Sequence, residues 1–344
     1  MNRGITVVIT TYNLADMIGK CLEELLCQTF EDFDVLVVDD CSEDSTCSVV
    51  KAYEKKFGNR LTVIFCESNN GTPGMVRNIA LNSGLISGKY ILLLDGDDDI
   101  EVNMLERLYN AACAQNSDVV CCGYDRVIAS TGSVCSVEMN KFYVKSITPE
   151  CNTEYIALVN GALWNKLIRT ECVKDIHFAP IKIGEDACFQ LELFEKAKKI
   201  VFIDDILIHY NVYEKSLISN VDIDEVVKLS EKLRDIYAGC GSETYRSAII
   251  LSAFIHVGIS ACVRVYQSKR SNVNSHIAWT KKYLDDNFPK WFKSDCLRMR
   301  FLRKLGVKGL AIKTCTFLYR TKMFKLFLVM YTFMINKLGI DIKW

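Results

Sequence analysis

The sequence has few residues of the kinds that interrupt regular structure. It contains 4 prolines and 18 glycines among 344 residues, which excludes collagen-like and low-complexity chains. Half of the residues are hydrophobic and 24% are charged, so the chain has enough apolar surface to bury a core, and intrinsic disorder is excluded as well. A chain of this length is expected to form about two domains.

The sequence also lacks net charge, because 42 Lys and Arg residues balance 42 Asp and Glu residues. Net charge therefore gives no reason to expect a nucleic-acid partner. The balance is uneven along the chain, however. Residues 298–344 hold eleven Lys or Arg residues and the single acid Asp341, which leaves a net charge of −10 on residues 1–297.

Two further absences concern cysteine spacing and hydrophobic runs. None of the 16 cysteines forms a Cys-x-x-Cys pair, and the first residues show no signal-peptide pattern. The longest nearly unbroken apolar run, Leu326–Ile335, has ten residues, whereas a membrane span needs about twenty. We therefore expect a cytoplasmic protein with no transmembrane helix. We also expect reduced thiols packed in the core, among them Cys66, Cys121, Cys122, Cys188 and Cys262.

Residues 1–130 alternate between short β-branched runs and longer helical ones. The short runs are continuously apolar, as in strands that helices cover on both faces. We therefore predict a doubly wound α/β domain with a mostly parallel sheet, which binds its ligands at the carboxyl ends of the strands. The predicted strands are Ile5–Thr10, Val35–Asp39, Leu61–Phe65, Tyr90–Leu94 and Val119–Cys122. The predicted helices are Leu14–Leu26, Ser45–Phe57, Gly74–Ser83 and Met104–Gln115.

The pattern changes after residue 130. A hairpin is expected around Thr131, followed by a helix at Glu185–Lys198 and a strand at Ile200–Tyr210. Beyond residue 222 the pattern is helical, and we therefore predict an α/β domain over residues 1–220 and a helical region with a basic tail over residues 221–344. The predicted helices of this second region are Glu225–Ala238, Thr244–Tyr266 and Asn274–Asn287.

An acidic segment follows the fourth predicted strand, where Asp95, Asp97, Asp98 and Asp99 lie within five residues. Carboxylates this close raise one another's pKa unless a cation lies among them. Mg²⁺ commonly bridges one or two carboxylates to substrate phosphates, so the segment is a candidate metal site. The alternative is a solvated acidic turn that caps the helix beginning near Asn103.

Residues after the other strands add to this interpretation. Asp40 can accept a hydrogen bond from a ribose or a base. The alternative is that it caps the next helix, a role that Ser42, Asp44 or Ser45 could fill equally well. Tyr12 can stack on a nucleobase. Arg77 follows a turn-rich loop and suits a diphosphate, unless it lies on a surface face. The absence of GxGxxG and GxxxxGK[ST] loops argues against a dinucleotide enzyme or a P-loop ATPase.

Several segments, in their order and spacing, resemble glycosyltransferase family 2, which has a GT-A fold. They are VVITTYN, VVDDCSEDST, NNGTPGMVRNIAL and GKYILLLDGDDD, and later WNKLIR and GEDACF. The later two are similar to segments of bacterial enzymes that build surface polysaccharides. The resemblance implies an inverting transferase that moves a sugar from a nucleotide-diphospho-sugar, expected to be a UDP-sugar, to a saccharide or lipid-linked saccharide acceptor.

The resemblance also implies roles for individual residues. Asp95 and Asp97 would form an Asp-x-Asp pair, with Asp97 the main contact to Mg²⁺ or Mn²⁺ and Asp98 in support. The residues implied for the nucleotide are Thr10 and Tyr12 at the base, Asp40 at the uracil, and Arg77 facing the nucleotide.

An inverting transfer needs a base that deprotonates the acceptor hydroxyl. Glu185 and Asp186 open an apolar helix, and the resemblance implies Asp186 as that base. The alternative is that both acids merely interact with the helix N-terminus, worth about 0.3–1 kcal/mol. The resemblance places Trp164 and Lys166 near the acceptor, although Trp164 is equally compatible with a structural role.

Two later features extend the prediction. His209 could complete the metal shell, although a lone His on an apolar strand is more often a packed core residue. Lys215 is the only cation in a stretch where related sequences carry arginines. The basic tail interleaves Lys and Arg with Leu, Phe and Met, so it can lie on an anionic membrane surface at the inner face of the plasma membrane, or pack as an ordinary helix.

Two alternatives to a glycosyltransferase are weaker. A nucleotidyltransferase would be expected to carry a Gly-rich loop with Arg or Lys after the first strand, where this chain has TTYNLAD. A sugar-nucleotide-binding module without catalysis has no evident need for a base, yet Asp97 and Asp186 are both present.

Overall fold

The computed structural model describes residues 3–213, 222–268 and 272–338. The chain divides into two compact units, of which the first comprises residues 1–151, 160–180 and 185–217. The second comprises residues 152–159, 181–184 and 218–344. The second unit thus includes two short segments that the sequence division near residue 220 did not assign to it, because only their tertiary contacts reveal where they belong.

The first unit combines a sheet with flanking helices. Its helices are α1 (Ile18–Leu26), α2 (Thr46–Phe57), α3 (Pro73–Asn82), α4 (Met104–Gln115) and α5 (Glu185–Lys196). Its strands are β1 (Ile5–Thr11), β2 (Phe33–Asp39), β3 (Leu61–Phe65), β4 (Tyr90–Asp95), β5 (Asp99–Ile100), β6 (Val119–Ile128), β7 (Ser133–Glu138), β8 (Ser146–Ile147), β9 (Lys166–Arg169) and β10 (Ile200–Val212).

The strands form one mixed sheet in the order β3-β2-β1-β4-β9-β6-β10-β5, with β7 beside β6 and β8 beside β10. Strands β3, β2, β1 and β4 are parallel, and β10 is parallel to β6. Strand β9 is antiparallel to both β4 and β6, and β5, β7 and β8 are antiparallel edge strands. The predicted α/β class is confirmed, with a sheet that is less parallel than the sequence suggested.

The register of the parallel strands decides which residues meet at their carboxyl ends. Thr10 of β1 lies opposite Asp95 of β4, and Thr11 lies opposite Asp39 of β2. Every residue of β1 is buried, so the strand is held in place by side chains on both of its faces. The ends of β1, β2 and β4 therefore form one polar edge.

Three local predictions can be compared with the structure. The hairpin is confirmed, since β6 and β7 pair antiparallel on either side of residues 129–132. The helix predicted to begin at Leu14 begins at Ile18 instead. Thr46 Oγ1 accepts a hydrogen bond from the Leu14 amide at 2.8 Å, and Asp44 accepts one from the Ala15 amide at 3.1 Å. These contacts hold the start of the predicted helix as a loop.

The second unit is helical in the residues that the structure describes. A π-helical stretch, Phe254–Ser260, joins two helices of this unit into one continuous helix. The helices are α6 (Ile223–Gly239), α7 (Glu243–Ala253), α8 (Ala261–Ser268), α9 (Val273–Asn287), α10 (Met299–Leu302), α11 (Gly306–Arg320) and α12 (Phe324–Leu338).

The continuous helix Glu243–Ser268 is long and apolar enough to cross a membrane by length and composition. However, 83% of its most apolar window is buried inside the protein, as in the core helix of a folded domain. The helix itself was predicted, as Thr244–Tyr266. The count of unbroken apolar runs did not mark it as long and apolar, because Ser252, His256 and Gly258 interrupt the run.

Only some of the cysteines lie in the core. All sixteen are free thiols, and Cys121, Cys122, Cys188 and Cys262 are buried as predicted. Burial raises the pKa of Cys121 to about 11, so this thiol stays protonated at neutral pH. Cys66 is only half-buried, and the exposed cysteines are Cys27, Cys113, Cys135 and Cys151.

Candidate active site

The carboxyl ends of β1 and β2 carry the residues predicted to bind a nucleoside. The backbone amide of Asp40 donates to the carbonyl of Thr11 at 2.9 Å, which ties the two strand ends together. Asp40 Oδ1 accepts hydrogen bonds from the backbone and side-chain nitrogens of Asn70 at 2.9 and 2.6 Å. Thr10 is buried beside them, while Tyr12 is 44% exposed. The Tyr12 ring is therefore free to stack on a planar ligand.

Asn70 was not predicted from the sequence as a site residue. Its contact with Asp40 joins the loop before α3 to the end of β2. Asp40 Oδ2 accepts no hydrogen bond from the described part of the chain, so one carboxylate oxygen of this residue remains for a ligand. The turn-rich composition of residues 69–74 indicated a loop here, but a pairing across 30 positions could not be read from it.

Helix α3 starts where a glycine allows a close approach. Thr72 caps the helix by accepting a hydrogen bond from the Met75 amide at 3.3 Å, and Pro73 occupies the first helical position, where proline is favoured. A Cβ atom on Gly74 would lie 2.9 Å from Cβ of Phe178 and 3.2 Å from Cγ of Glu185. Only glycine lets α3 come this near to the start of α5.

One turn further along α3, Arg77 joins two of the predicted site residues. Its Nη2 lies 2.6 Å from Asp95 Oδ1, and its Nη1 lies 2.6 Å from Asp186 Oδ1. Arg77 is only 2% exposed. Burial alone would lower the pKa of the guanidinium, but Asp186 and Asp95 outweigh it and raise the pKa above its usual range. Arg77 therefore remains charged.

This geometry corrects the sequence interpretation of Arg77. The guanidinium was expected to face a nucleotide directly, or else to lie on a surface face. In the structure both terminal nitrogens are directed at carboxylates instead, and such charged partners offset the cost of burying a guanidinium. Arg77 is thus a bridge between the acidic segment after β4 and the start of α5.

The acidic turn, which we define as Asp95–Asp98, carries negative charge that the protein compensates only in part. Burial, followed by repulsion from Asp95 and Asp97, raises the pKa of Asp98 to about 9. Burial and then Asp95 also raise the pKa of Asp97. Asp98 Oδ2 is buried and has no hydrogen-bond partner in the described residues. A carboxylate oxygen in this state indicates a missing positive partner.

The donor set of this turn fits a hard divalent cation. Carboxylate oxygens are the ligands that Mg²⁺ prefers, and Mg²⁺ usually takes only one or two of them, completing its shell with water and phosphate. In the described residues no three His, Cys, Asp or Glu side chains converge into a ready-made metal cage. The one or two carboxylates that the turn can offer suit an ion whose remaining ligands are water and phosphate.

Glu185 and Asp186 form the first turn of α5, as predicted. Burial, followed by repulsion from Asp186, raises the pKa of Glu185 to about 7. Burial also raises the pKa of Asp186, against the opposing effect of Arg77. Asp186 Oδ1 is engaged by Arg77, while its Oδ2 accepts no hydrogen bond from the described chain. A carboxylate with one free oxygen and a raised pKa is suited to accepting a proton.

The structure does not present Trp164 and Lys166 as open acceptor contacts. The Trp164 ring stacks on Tyr210, with ring centroids 5.5 Å apart, and meets Tyr124 edge-on. Lys166 is fully buried, and its Nζ donates to the carbonyls of Asn160 and Ala162 and to Asn165 Oδ1. Both side chains hold the segment before β9, and the predicted acceptor role does not fit their burial.

His209 is held by carboxylates instead of being free for a metal. Its Nδ1 lies 2.8 Å from Asp125 Oδ1, and its Nε2 lies 3.1 Å from Glu101 Oε1. Burial lowers the pKa of His209, but the hydrogen bonds to Asp125 and Glu101 outweigh this and raise it overall. Because both ring nitrogens have partners, the structure favours the structural role for His209 over metal ligation.

Asn211 is a second residue that sequence reasoning missed. Its side-chain amide donates to the carbonyl of Asp97 at 3.0 Å, and its backbone amide donates to the Asp98 carboxylate. Strand β10 thus supports the acidic turn from the side. Lys215, the other residue predicted in this stretch, lies outside the described residues.

Together the fold and this edge define a GT-A-type α/β domain with a candidate site for a nucleotide and a cation. Comparison with known proteins finds a family match over part of the chain. Residues 6–160 match the sequence profile of glycosyl transferase family 2. The resemblance noted in the sequence is thereby confirmed.

Two curated relatives and one solved structure illustrate the likeness. The chain is 34% identical over 201 residues to poly(ribitol-phosphate) beta-glucosyltransferase of Bacillus spizizenii, covering 57% of this chain and 30% of that protein. It is 27% identical over 257 residues to cholesterol galactosyltransferase of Borreliella burgdorferi, covering 66% of this chain and 65% of that protein. The chain thus covers less than two thirds of the length of either relative.

The solved structure is that of Staphylococcus aureus TarS residues 1–349 in complex with UDP-GlcNAc. It superposes with a TM-score of 0.68 at 22% sequence identity, covering 98% of this chain and 93% of that one. At this identity the likeness shows a shared fold and nothing more specific. It extends beyond residues 6–160 to the helical second unit.

Proposed function

We propose that this protein is an inverting glycosyltransferase that uses a UDP-sugar. The observation that carries the proposal is the position of Arg77 between Asp95 and Asp186, at 2.6 Å from each. This bridge joins a turn suited to a diphosphate-bound cation to a carboxylate suited to act as a base. A sugar transferase needs both groups, one for the leaving diphosphate and one for the incoming hydroxyl.

The nucleoside half of the donor is assigned to the edge formed by β1 and β2. Tyr12 stacks on the base, Thr10 lines it, and the free oxygen of Asp40 accepts a hydrogen bond from the uracil N–H. A carboxylate at this position favours a base that donates there. The TarS structure with UDP-GlcNAc supports the choice of a uridine donor through a shared fold.

The diphosphate is assigned to the acidic turn. Asp97 and Asp95 would hold Mg²⁺ or Mn²⁺, with Asp98 in support. The ion would supply positive charge that neutralises the diphosphate as it leaves. Arg77 keeps Asp95 in position, and Asn211 keeps the backbone of Asp97 in position.

In the transfer step, Asp186 acts as the base that takes the proton of the acceptor hydroxyl. The acceptor hydroxyl attacks the anomeric carbon, its proton passes to Asp186 Oδ2, the new bond from oxygen to carbon forms, and the bond to the diphosphate breaks. The nucleoside diphosphate leaves with the electron pair. The raised pKa of Asp186 makes it a stronger base than an ordinary aspartate. Glu185 adds negative charge beside it.

We assign the acceptor to bacterial cell-surface polymers, either a saccharide or a lipid-linked saccharide, at the cytoplasmic side of the membrane. The match to a poly(ribitol-phosphate) transferase supports a polymer acceptor. The match to a cholesterol galactosyltransferase shows that such domains also occur in enzymes with lipid acceptors. A panel of acceptors is therefore part of the test.

The test measures UDP release from several UDP-sugars, with Mn²⁺ and with candidate acceptors. We expect transfer to one or a few donors, and a loss of at least about 10²-fold in turnover in Asp186→Asn. Donor binding, measured by thermal shift, should be retained in that variant. Asp204→Asn is the control, because Asp204 is an exposed aspartate paired with Lys145 and should leave turnover unchanged.

Three results would contradict the proposal. Full activity of Asp186→Asn would assign the proton to another group. Donor binding without transfer to any acceptor in the panel would favour a sugar-nucleotide-binding module, and pyrophosphate release from a nucleoside triphosphate would favour a nucleotidyltransferase.

A further inference from the structure

Helices α11 and α12 of the second unit expose a row of large apolar side chains. On α11 the exposed residues include Phe317, at 60%, and on α12 they include Phe333, at 58%. Monomeric proteins rarely expose apolar patches of this kind without a binding partner. The exposed apolar residues of this segment are Val307, Leu310, Phe317, Met323, Leu326, Val329, Met330 and Phe333.

The apolar residues fall on one face of each helix. At 100° per residue, Val307, Leu310 and Phe317 lie within about 80° of one another on α11. On α12 the exposed apolar residues from Leu326 to Phe333 lie within about 100°. We call these two outward surfaces the α11–α12 face.

The opposite sides of the two helices are already packed. Tyr319 of α11 stacks on Phe324 of α12, with ring centroids 4.0 Å apart, and its hydroxyl donates to the carbonyl of Gly258. Phe324, Leu328 and Tyr331 are buried. Each helix therefore has one apolar side in the core of the unit and a second apolar side that faces outward.

Basic residues flank the α11–α12 face, and acids are missing from it. The sequence from Gly306 to Leu338 contains no Asp or Glu. On α11, Lys308 lies about 100° to one side of Val307, and Arg320 lies on the other side. An apolar stripe between cationic flanks matches the boundary of an anionic bilayer, with acyl chains below and phosphate groups above. The flanking residues are Lys308, Arg320, Lys322 and Lys325, with Lys313 donating to the carbonyl of Leu297. Lys304, just before α11, pairs with Glu154.

We propose that the α11–α12 face binds the surface of a bilayer that contains anionic lipid. The apolar side chains enter the interface, and the Lys and Arg side chains meet the lipid phosphates. The apolar helix segment Phe324–Ile335 is too short to cross a bilayer, which needs about twenty residues, so the helices lie in the membrane plane. This proposal does not depend on sugar transfer.

A second copy of the chain is a poorer occupant. Two such faces would bring together like charges with no acid between them, and like charges across an interface are unfavourable. Anionic lipid supplies the opposite charge along the whole face. The charge pattern therefore favours a membrane over self-association.

The test is sedimentation of the full chain with vesicles, at low salt. One set contains phosphatidylcholine only, and the other contains phosphatidylcholine and phosphatidylglycerol at a ratio of about 7:3. We expect binding to the second set, weakened by added salt. The double variant Phe317→Ser and Phe333→Ser should lower the partition coefficient by about tenfold or more. Lys322→Gln with Lys325→Gln should weaken binding to the anionic vesicles only.

The matched control is Leu85→Ser with Val102→Ser, which removes two exposed apolar side chains from the first unit and should leave vesicle binding unchanged. Because all these residues are exposed, circular dichroism and melting temperature should be the same for every variant. The proposal is overturned if the full chain ignores anionic vesicles, if it binds both vesicle sets equally, or if the serine variant binds as well as the parent. If light scattering gives a lower molar mass for the double serine variant than for the parent, while both bind vesicles equally, the face binds a second copy of the chain.

Discussion

The first unit contains two groups of buried charged residues. They differ in how fully their charged atoms are paired with hydrogen-bond partners from the protein. Around Lys166 and Arg169 each charged group has several acceptors. Arg169 Nε donates to Asp118 Oδ1 at 2.7 Å and its Nη2 donates to the carbonyl of Ser117, while Lys166 donates to three oxygens, although burial still lowers its pKa. At the acidic turn a buried oxygen of Asp98 has no partner. The first group stabilises the fold, whereas the second is incomplete without a ligand.

The difference gives opposite expectations for substitutions. A change in the compensated group removes hydrogen bonds and should lower stability. A change in the incomplete group removes repulsion between carboxylates and should raise stability, at the cost of function, as is common for sites that bind charged ligands. The Lys166 variant tests the compensated group. Glu185 precedes Asp186, which Arg77 joins to the acidic turn, so its variant tests the incomplete group. His209, paired with Asp125 and Glu101, serves as a further compensated site.

The largest effect on stability is expected for Lys166→Met. The variant keeps the length of the side chain but leaves the carbonyls of Asn160 and Ala162 without a donor. We expect the free energy of unfolding to fall by about 2–4 kcal/mol, measured by urea denaturation. Lys55→Met, on the exposed face of α2, should change it by less than about 0.5 kcal/mol. A loss equal to that of the control would show that the compensated group does not stabilise the fold.

A smaller effect of opposite sign is expected for Glu185→Gln. The pKa of Glu185 is raised to about 7 in the folded protein, so its ionisation destabilises the fold above that pH. The penalty is absent below the unfolded pKa, develops as the pH rises toward 7 and is complete above it. In metal-free buffer at pH 8 the variant should be more stable by about 1–2 kcal/mol, with no difference at pH 4.5.

Glu54→Gln is the control for this pH dependence, because Glu54 lies on the exposed side of α2. Its stability should follow that of the parent at both pH values. If Glu185→Gln instead lowers stability at pH 8, the negative charge of Glu185 is stabilised by its surroundings, and the account of this site is wrong.

The smallest effect is expected for His209→Gln. The folded pKa of His209 is raised by Asp125 and Glu101, so its contribution is fully present below the unfolded pKa and is lost as the pH rises through the folded pKa. The variant should lose about 1 kcal/mol at pH 5.5 and clearly less at pH 9, measured by thermal or urea unfolding. A loss that grows with pH would have the wrong sign for this ion pair.

Much of the fold follows from local pattern, and what does not follow is non-local. Strands β1 to β4 and helices α2 to α4 appear in the sequence as apolar runs of the right length, since buried parallel strands leave a continuous signal. Strand β9 has four residues and no distinctive pattern, and it becomes a strand only by pairing with β4 and β6. The assignment of residues 152–159 and 181–184 to the second unit likewise depends on tertiary contacts.

The candidate site divides in the same way. Asp95, Asp97, Asp40 and Asp186 could be found because acids at strand ends and helix starts are visible in sequence. The direction of the Arg77 side chain could not be found, because its partners lie 18 and 109 positions away. The burial of Trp164 and Lys166 could not be predicted from the sequence either, and it does not support the acceptor role predicted for them.

The account depends most on the acidic turn as a site for a cation that accompanies a nucleoside diphosphate. Electron paramagnetic resonance of Mn²⁺, titrated with and without UDP, measures this directly. The account predicts that the protein binds Mn²⁺ in the presence of UDP, that Asp97→Ala abolishes this binding and that Asp204→Asn preserves it. Unchanged Mn²⁺ binding in Asp97→Ala, or none in the parent protein with UDP present, would contradict it.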